Sequence, residues 1–144
     1  MIFRQSGARE ELVFEGVHCK LRIAFPAPSV CLATFQGHDV GEFGDGPVKA
    51  LSEYLTRQES MTLFVDGRQV PGASVEVSGT WAYWMQDNRA RLEEIHILCG
   101  SRFIHLTANF VRRFAELEEK MFIYTEAKAF DLAIGTAISR KNAG

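Results

Sequence analysis

Three short, predominantly apolar runs, at residues 61–65, 95–99 and 121–124, constrain this chain more than any other feature. Each is too short for a buried helix, and without polar alternation none can turn one face to water. Strands covered on both faces within a parallel sheet meet that description. Between the first two runs, Val77, Trp81, Trp84 and Met85 carry a helical spacing. Phe103, Leu106, Phe110, Phe114 and Leu117 carry one before the third run, and Phe130, Ile134, Ala137 and Ile138 carry one after it. Buried strands alternating with helices need crossover connections, which predicts a largely parallel sheet covered by helices.

The first half of the chain reads differently. Residues 20–25 alternate polar and apolar side chains, as a half-exposed strand does, and 30–36 form a second strand run. Pro26, Pro28 and Ser29 predict a turn between them, so the two runs form an antiparallel hairpin, with 12–17 as a third strand at its edge. A loop over 37–46 follows, holding four glycines with His38, Asp39, Glu42 and Asp45. Pro47 suits the first turn of a helix over 47–57, and Asp45 is placed to cap its free amides. The expected fold is α/β: a mixed, largely parallel sheet that opens with an antiparallel hairpin and continues in alternating helices and strands. At 144 residues the chain is the size of one domain, spanning 1–144, with 142–144 as a loose tail.

Composition narrows the function classes. A formal net charge of −2 leaves no electrostatic footprint for a phosphate backbone, which argues against a nucleic-acid partner. No apolar run approaches the ~20 residues of a spanning helix, so membrane insertion is not expected. Residues 1–6 lack the apolar core of a targeting segment, and a cytoplasmic setting is expected. Cys19, Cys31 and Cys99 are odd in number, widely spaced and without a CxxC pair, so they read as buried thiols and not as disulfide partners or zinc ligands. Arg112, Arg113, Glu116, Glu118, Glu119 and Lys120 mix signs along a helical stretch, the pattern of a solvated face.

The chemical motifs are sparse. Gly41, Gly44 and Gly46 form neither a dinucleotide nor a Walker pattern, and acids among them would repel phosphate. No cofactor and no metal is indicated: the four histidines, His18, His38, His96 and His105, never pair at a spacing that places two ligands on one helix face. His96 falls inside a strand as a satisfied sheet residue, and His105 falls on a helix beside the apolar stripe. Cys99, at the end of a strand and before a helix, is the best nucleophile candidate, since a helix N-terminus lowers a thiol pKa. Trp81 and Trp84 share a helix face while Tyr83 points away. Tyr83 with Arg89 and Arg91 therefore marks a candidate interface, where Tyr, Trp and Arg are enriched.

One set of residues carries a family pattern. Leu63-Phe64-Val65-Asp66, Gly79-Thr80-Trp81, Ile95-His96-Ile97-Leu98, and Ile123-Tyr124-Thr125 with Phe130 together resemble the STAS domains of sulfate transporters and anti-sigma factor antagonists, especially their divergent bacterial relatives. Gly37 resembles the glycine that the family places after its second clear strand. The resemblance implies a mixed sheet with helices and a non-enzymatic role as a regulatory or protein-binding module in signalling, in some members switched by serine phosphorylation. Ser78-Gly79 stands nearest to the phosphorylatable serine and its glycine, with Glu76 and Val77 where the antagonists have Asp and Ser. Ser78 is thus the candidate phosphorylation site, with Ser74 or Ser78 as a plain helix cap instead. Asp66, Arg68, Gly79, Trp81 and Tyr83 are the candidate partner or ligand surface. A protein partner is expected, with a homodimer as the assembly that the aromatic helix suggests. The alternative is a small-molecule or lipid-binding domain lined by some of the 11 phenylalanines. A small enzyme using Cys99 or His105 is a third reading.

Overall fold

The computed structural model describes residues 5–6 and 9–143. Residues 1–4, most of the stretch read above for targeting signals, lie outside the described residues, as does Gly144. Among the described residues, seven strands cross one sheet in chain order: β1 (Gln5–Ser6), β2 (Arg9–Glu15), β3 (Cys19–Ala27), β4 (Val30–Gly37), β5 (Met61–Gln69), β6 (Leu92–Cys99) and β7 (Met121–Tyr124). The first four pair antiparallel, and β4 to β7 pair parallel. Helices α1 (Gly46–Leu55), α2 (Val75–Asp87) and α3 (Arg102–Phe114) occupy the three crossovers, and α4 (Ala127–Ala143) follows the last strand. The mixed α/β sheet with an antiparallel opening, read from the pattern of runs, is the fold the chain adopts.

Each crossover moves one strand further in the same direction, so crossovers of one hand put α1, α2 and α3 on the same face. The side chains of the parallel strands divide accordingly. Cys31, Ala33, Leu63, Ile95 and Ile97 point into the main core with Leu51, Leu55, Trp84 and Val111 of the helices. Val30, Phe64 and Leu98, one residue out of phase, form a second core under α4 with Phe130. This is why residues 61–65 and 95–99 carry no polar alternation: both faces are covered. Phe64 and Phe130 are fully buried, and each such side chain contributes about 1.5–3 kcal/mol of transfer free energy.

Several local readings need correction. The β3–β4 turn is confined to Pro28 and Ser29, with Ser29 at φ 61°, while Pro26 remains inside β3. Pro26 falls at the register shift between Ala24 and Ala27, where the ladder does not need its missing N–H. Asp45 occupies the N-cap position of α1 without a capping bond; its carboxylate pairs with Lys49 at 3.3 Å instead. Pro47 does lie in the first turn. The charge cluster is not one helical face, because α3 stops at Phe114 and Glu116, at φ 55°, turns the chain. Asn142 and Ala143 belong to α4 and are not a loose tail.

Candidate functional site

The five residues nominated as a partner surface fall on opposite faces of the sheet. Asp66 ends the run of β5 on the α4 side, where its carboxylate accepts from the Arg68 backbone N–H at 3.1 Å and from Arg68 Nε at 3.0 and 3.1 Å. Arg68 Nη2 donates to Asp131 of α4 at 2.6 Å. Bonds to Asp131 and Asp66 push the Arg68 guanidinium pKa further up, so the cation is permanent. Asp66 and Arg68 therefore fasten the end of β5 to α4, whereas Ser78, Gly79, Trp81 and Tyr83 lie on α2 across the sheet.

On α2 the cap is Ser74, at φ −70° and ψ 156°, whose hydroxyl accepts from the Val77 N–H at 3.1 Å. Ser78 lies one turn further in. Its N–H and its hydroxyl both donate to the Ser74 carbonyl at 3.1 Å. Gly79 has open space where a Cβ would stand. Gly37, by contrast, requires glycine: its φ is +94° and a Cβ would collide with the His18 carbonyl oxygen. Trp81 packs edge-on against Phe35 of β4 at 5.9 Å and against Trp84 at 6.2 Å. Trp84 is buried and ties α2 to α1 through Nε1–H donation to the Ser52 hydroxyl at 2.8 Å.

Beneath α2 and α3 lies a cavity of about 120 Å³ against the C-terminal halves of the parallel strands. The sheet supplies Phe35, Val65 and Ile97 as its floor, and α2 supplies Val77, Ser78, Trp81 and Met85. Ile104, Thr107, Ala108 and Val111 of α3 close the other side, and Asp39, just after β4, closes one end. Asp39 is 5% exposed, with its Oδ1 accepting from the Gly41 N–H at 2.9 Å and its carbonyl accepting from the Ser74 N–H at 3.0 Å. Burial, together with nearby Glu42, raises its pKa against the lowering effects of the Gly41 N–H and His38. A larger groove of about 590 Å³ beside the end of α4 is lined by charges of both signs, and there Lys141 and Glu93 pair at 3.7 Å.

The outer side of the same helices is apolar. On α3 the sequence suggested that Phe103, Leu106, Phe110 and Phe114 face the core, but Phe103, Leu106 and Phe110 are 52%, 63% and 58% exposed. Ile104, Ala108, Val111 and Ala115 turn inward in their place, a second spacing just as regular as the first. Small inward residues let α3 approach the sheet, and the larger ring-bearing stripe is displaced outward. Tyr83 joins this face, edge-on to Phe114 at 5.1 Å, and Phe110 stacks on Phe114 at 5.9 Å. Arg89 and Arg91, expected beside Tyr83, are spent inside the molecule. Arg91 donates to the Leu55, Gln58 and Glu59 carbonyls at the end of α1, and Arg89 pairs with Glu116 at 2.8 Å.

The remaining candidates are also occupied. His96 is stacked between Phe64 and Phe122 at 4.5 and 4.9 Å, with Nε2 bonded to Glu94 at 2.9 Å and Nδ1 to the Tyr124 hydroxyl at 2.7 Å. A carboxylate only accepts, so Nε2 carries a proton, and in the neutral ring, which burial favours, Nδ1 accepts from the Tyr124 hydroxyl. Cys99 is buried, and burial pushes its thiol up to about 11, the opposite of an activated nucleophile. In the glycine-rich loop the acids diverge. Glu42 accepts from the Val17 and His18 N–H groups at 2.6 and 2.9 Å, while the Asp39 carboxylate accepts from the Gly41 N–H. Burial raises the Glu42 pKa, but those amides and His18 outweigh it and hold the carboxyl below its ordinary value. No helix among the described residues is long and apolar enough to cross a membrane.

No family model and no curated protein matches the chain. Solved structures do. An uncharacterised protein of the DUF3478 family from Shewanella loihica PV-4, described as having a SpoIIAA-like fold, superposes with a TM-score of 0.56 at 7% identity, covering 91% of this chain and 98% of that one. An anti-sigma factor antagonist from Mycobacterium paratuberculosis gives a TM-score of 0.47 at 11% identity, covering 89% and 95%. The resemblance seen in Leu63-Phe64-Val65-Asp66 and its companion segments is thereby matched at the level of the fold: this chain has a SpoIIAA-like fold.

Proposed function

We propose that this chain is a non-enzymatic regulatory module that docks a protein partner on the outer face of α2 and α3. The observation that carries the reading is the exposed row Phe103, Leu106 and Phe110, flanked by Tyr83 at 60% exposure. A stripe of large apolar side chains left in water is the mark of an interaction surface. Its charge selects the partner. The thirteen residues of α3 include Arg102, Arg112 and Arg113 and no acid, and none of these arginines meets a carboxylate within ion-pair distance among the described residues. The partner is therefore a protein that presents an apolar helix rimmed by carboxylates, which would steer the encounter and fix its register. Docking on this reading is governed by the aromatic face and not by a phosphate on Ser78, whose hydroxyl and N–H are already engaged with Ser74.

The test places a photo-crosslinking amino acid at Leu106 and, as a control, at exposed Lys128 on α4, in the protein's own cells. A protein of acidic character should be captured from position 106 and not from 128, lost in the Phe103→Ser/Phe110→Ser double variant, and reduced several-fold by Arg113→Glu. Capture of only a second copy of this chain would replace the partner with a homodimer. Identical products from both positions would overturn the docking face.

A further inference from the structure

The docking reading leaves the far edge of the sheet unused. β7 closes the sheet there, pairing with β6 on one side and with no strand on the other among the described residues. Edge strands are normally guarded against further pairing by charges, prolines or bulges. β7 carries none of these: its sequence is Met121-Phe122-Ile123-Tyr124, and its register with β6 runs without a shift.

The backbone shows which groups are on offer. Each residue of a strand turns its N–H and C=O to the same side, and successive residues alternate. The Lys120 carbonyl accepts from the Ile95 N–H at 2.9 Å, so Lys120, Phe122 and Tyr124 face β6 while Ile123 faces outward. Met121 also faces outward, but its N–H is spent on the Leu117 carbonyl at 2.8 Å. No hydrogen bond reaches the Ile123 N–H or C=O among the described residues. Beside this edge Phe122, stacked on His96 at 4.9 Å, is left 42% exposed.

We propose that β7 pairs with β7 of a second copy of this chain, antiparallel and with Ile123 on the two-fold axis, so that one sheet runs through a homodimer. Backbone and charge select this register. With Ile123 opposite itself, its N–H and C=O bond reciprocally with those of the copy, and the Met121 carbonyl comes level with the Thr125 N–H. Phe122 stands opposite Tyr124 of the copy in a non-hydrogen-bonded pair, with Cα atoms about 4.5 Å apart, so an aromatic cross-strand pair covers the exposed ring. Lys120 comes level with Glu126 of the copy, and Glu118 with Lys128. Lys120 Nζ donates to the Arg89 carbonyl at 2.6 Å and keeps further N–H groups for a carboxylate. A slip of two residues either way is the smallest that keeps the outward groups facing each other. One such slip brings Glu118 level with Glu126 and the other brings Lys120 level with Lys128, like charges in both cases.

So short a strand pair makes a small interface, and the dimer belongs to concentrated solution. Sedimentation velocity of the full chain from about 10 μM to about 1 mM should show a reversible monomer–dimer equilibrium. Ile123→Pro removes an N–H that the monomer does not use and should weaken the dimer at least tenfold. Glu126→Lys should weaken it several-fold, and Lys120→Glu/Glu126→Lys should recover most of that loss. Should the proline variant fail to fold, cysteine oxidation reads the register independently. Ile123→Cys stands opposite itself at a Cα separation of about 5.5 Å, within disulfide range, and should cross-link much faster than Thr125→Cys, which is offset from itself. The native thiols are buried and do not compete. A chain that stays monomeric to the top of the concentration range, a folded Ile123→Pro protein that dimerises like the unmodified one, or cross-linking as fast at 125 as at 123 would overturn the pairing. None of these outcomes bears on docking at α2 and α3, which is read from position 106 on another surface.

Discussion

His96 stands in the middle of a cross-strand row, Phe64–His96–Phe122, set by the registers of β5, β6 and β7. Burial depresses its pKa below the ordinary 6.5, with Glu94 pulling the other way. The folded state then binds fewer protons than the unfolded chain, so stability is complete above about pH 6.5 and is lost as the pH falls through that value toward the folded pKa. Urea unfolding at pH 7.5 and 5.5 should show the loss, at most about 1.4 kcal/mol per pH unit, and His96→Gln should remove that part of it. A pH-independent difference between the two proteins would show that His96 does not titrate in this range. The sequence identified His96 as a satisfied strand residue from its position in the run 95–99. Its stacking partners Phe64 and Phe122 lie about thirty residues away on either side, and only strand pairing brings them together. Asp39 was legible as a loop acid but not as a buried one, because the wall that covers it comes from α2 and α3.

Within single elements, the helices divide between what periodicity shows and what it leaves open. α2 begins at its serine cap as the Ser74 alternative predicted, and Trp81 and Tyr83 point apart as their spacing requires. Gly79 is the test of how far the family pattern constrains this helix. It sits in the helix interior with open space at its Cβ direction, so Gly79→Ala should raise stability by about 0.5–1 kcal/mol, measured by chemical denaturation. A loss would mean that a partner or ligand approaches the backbone there. α3 misled because its sequence carries two apolar stripes of the same period. Phe103-Leu106-Phe110 is the bulkier, and Ile104-Ala108-Val111 is the one that packs. Periodicity identifies a helix, but the room available between helix and sheet chooses which stripe faces inward.

At the scale of the whole molecule, α4 is the only helix on its side of the sheet among the described residues, and its attachment is partly apolar, through Phe130 against Phe64, and partly ionic, through Asp131 to Arg68. Arg68→Ala would leave Asp66 without its guanidinium at 9% exposure and should cost about 1–3 kcal/mol of unfolding free energy. Asp131→Ala, at the exposed end of the same chain of bonds, should cost under about 1 kcal/mol. Equal losses in the two variants would show that the bridge acts as one unit. The sequence by itself determined the strand and helix alternation, the parallel sense of the later strands and the antiparallel opening, because these follow from which residues water excludes along the chain. It also nominated Asp66, Arg68, Ser78, Gly79, Trp81 and Tyr83, but could not divide them. Only the tertiary structure decided that Asp66 and Arg68 serve α4 while Trp81 and Ser78 line a cavity, that the α3 phenylalanines face water, and that Asp39 closes the pocket. Those outcomes depend on the sheet surface each element finally meets, and that surface is assembled from strands distant in sequence.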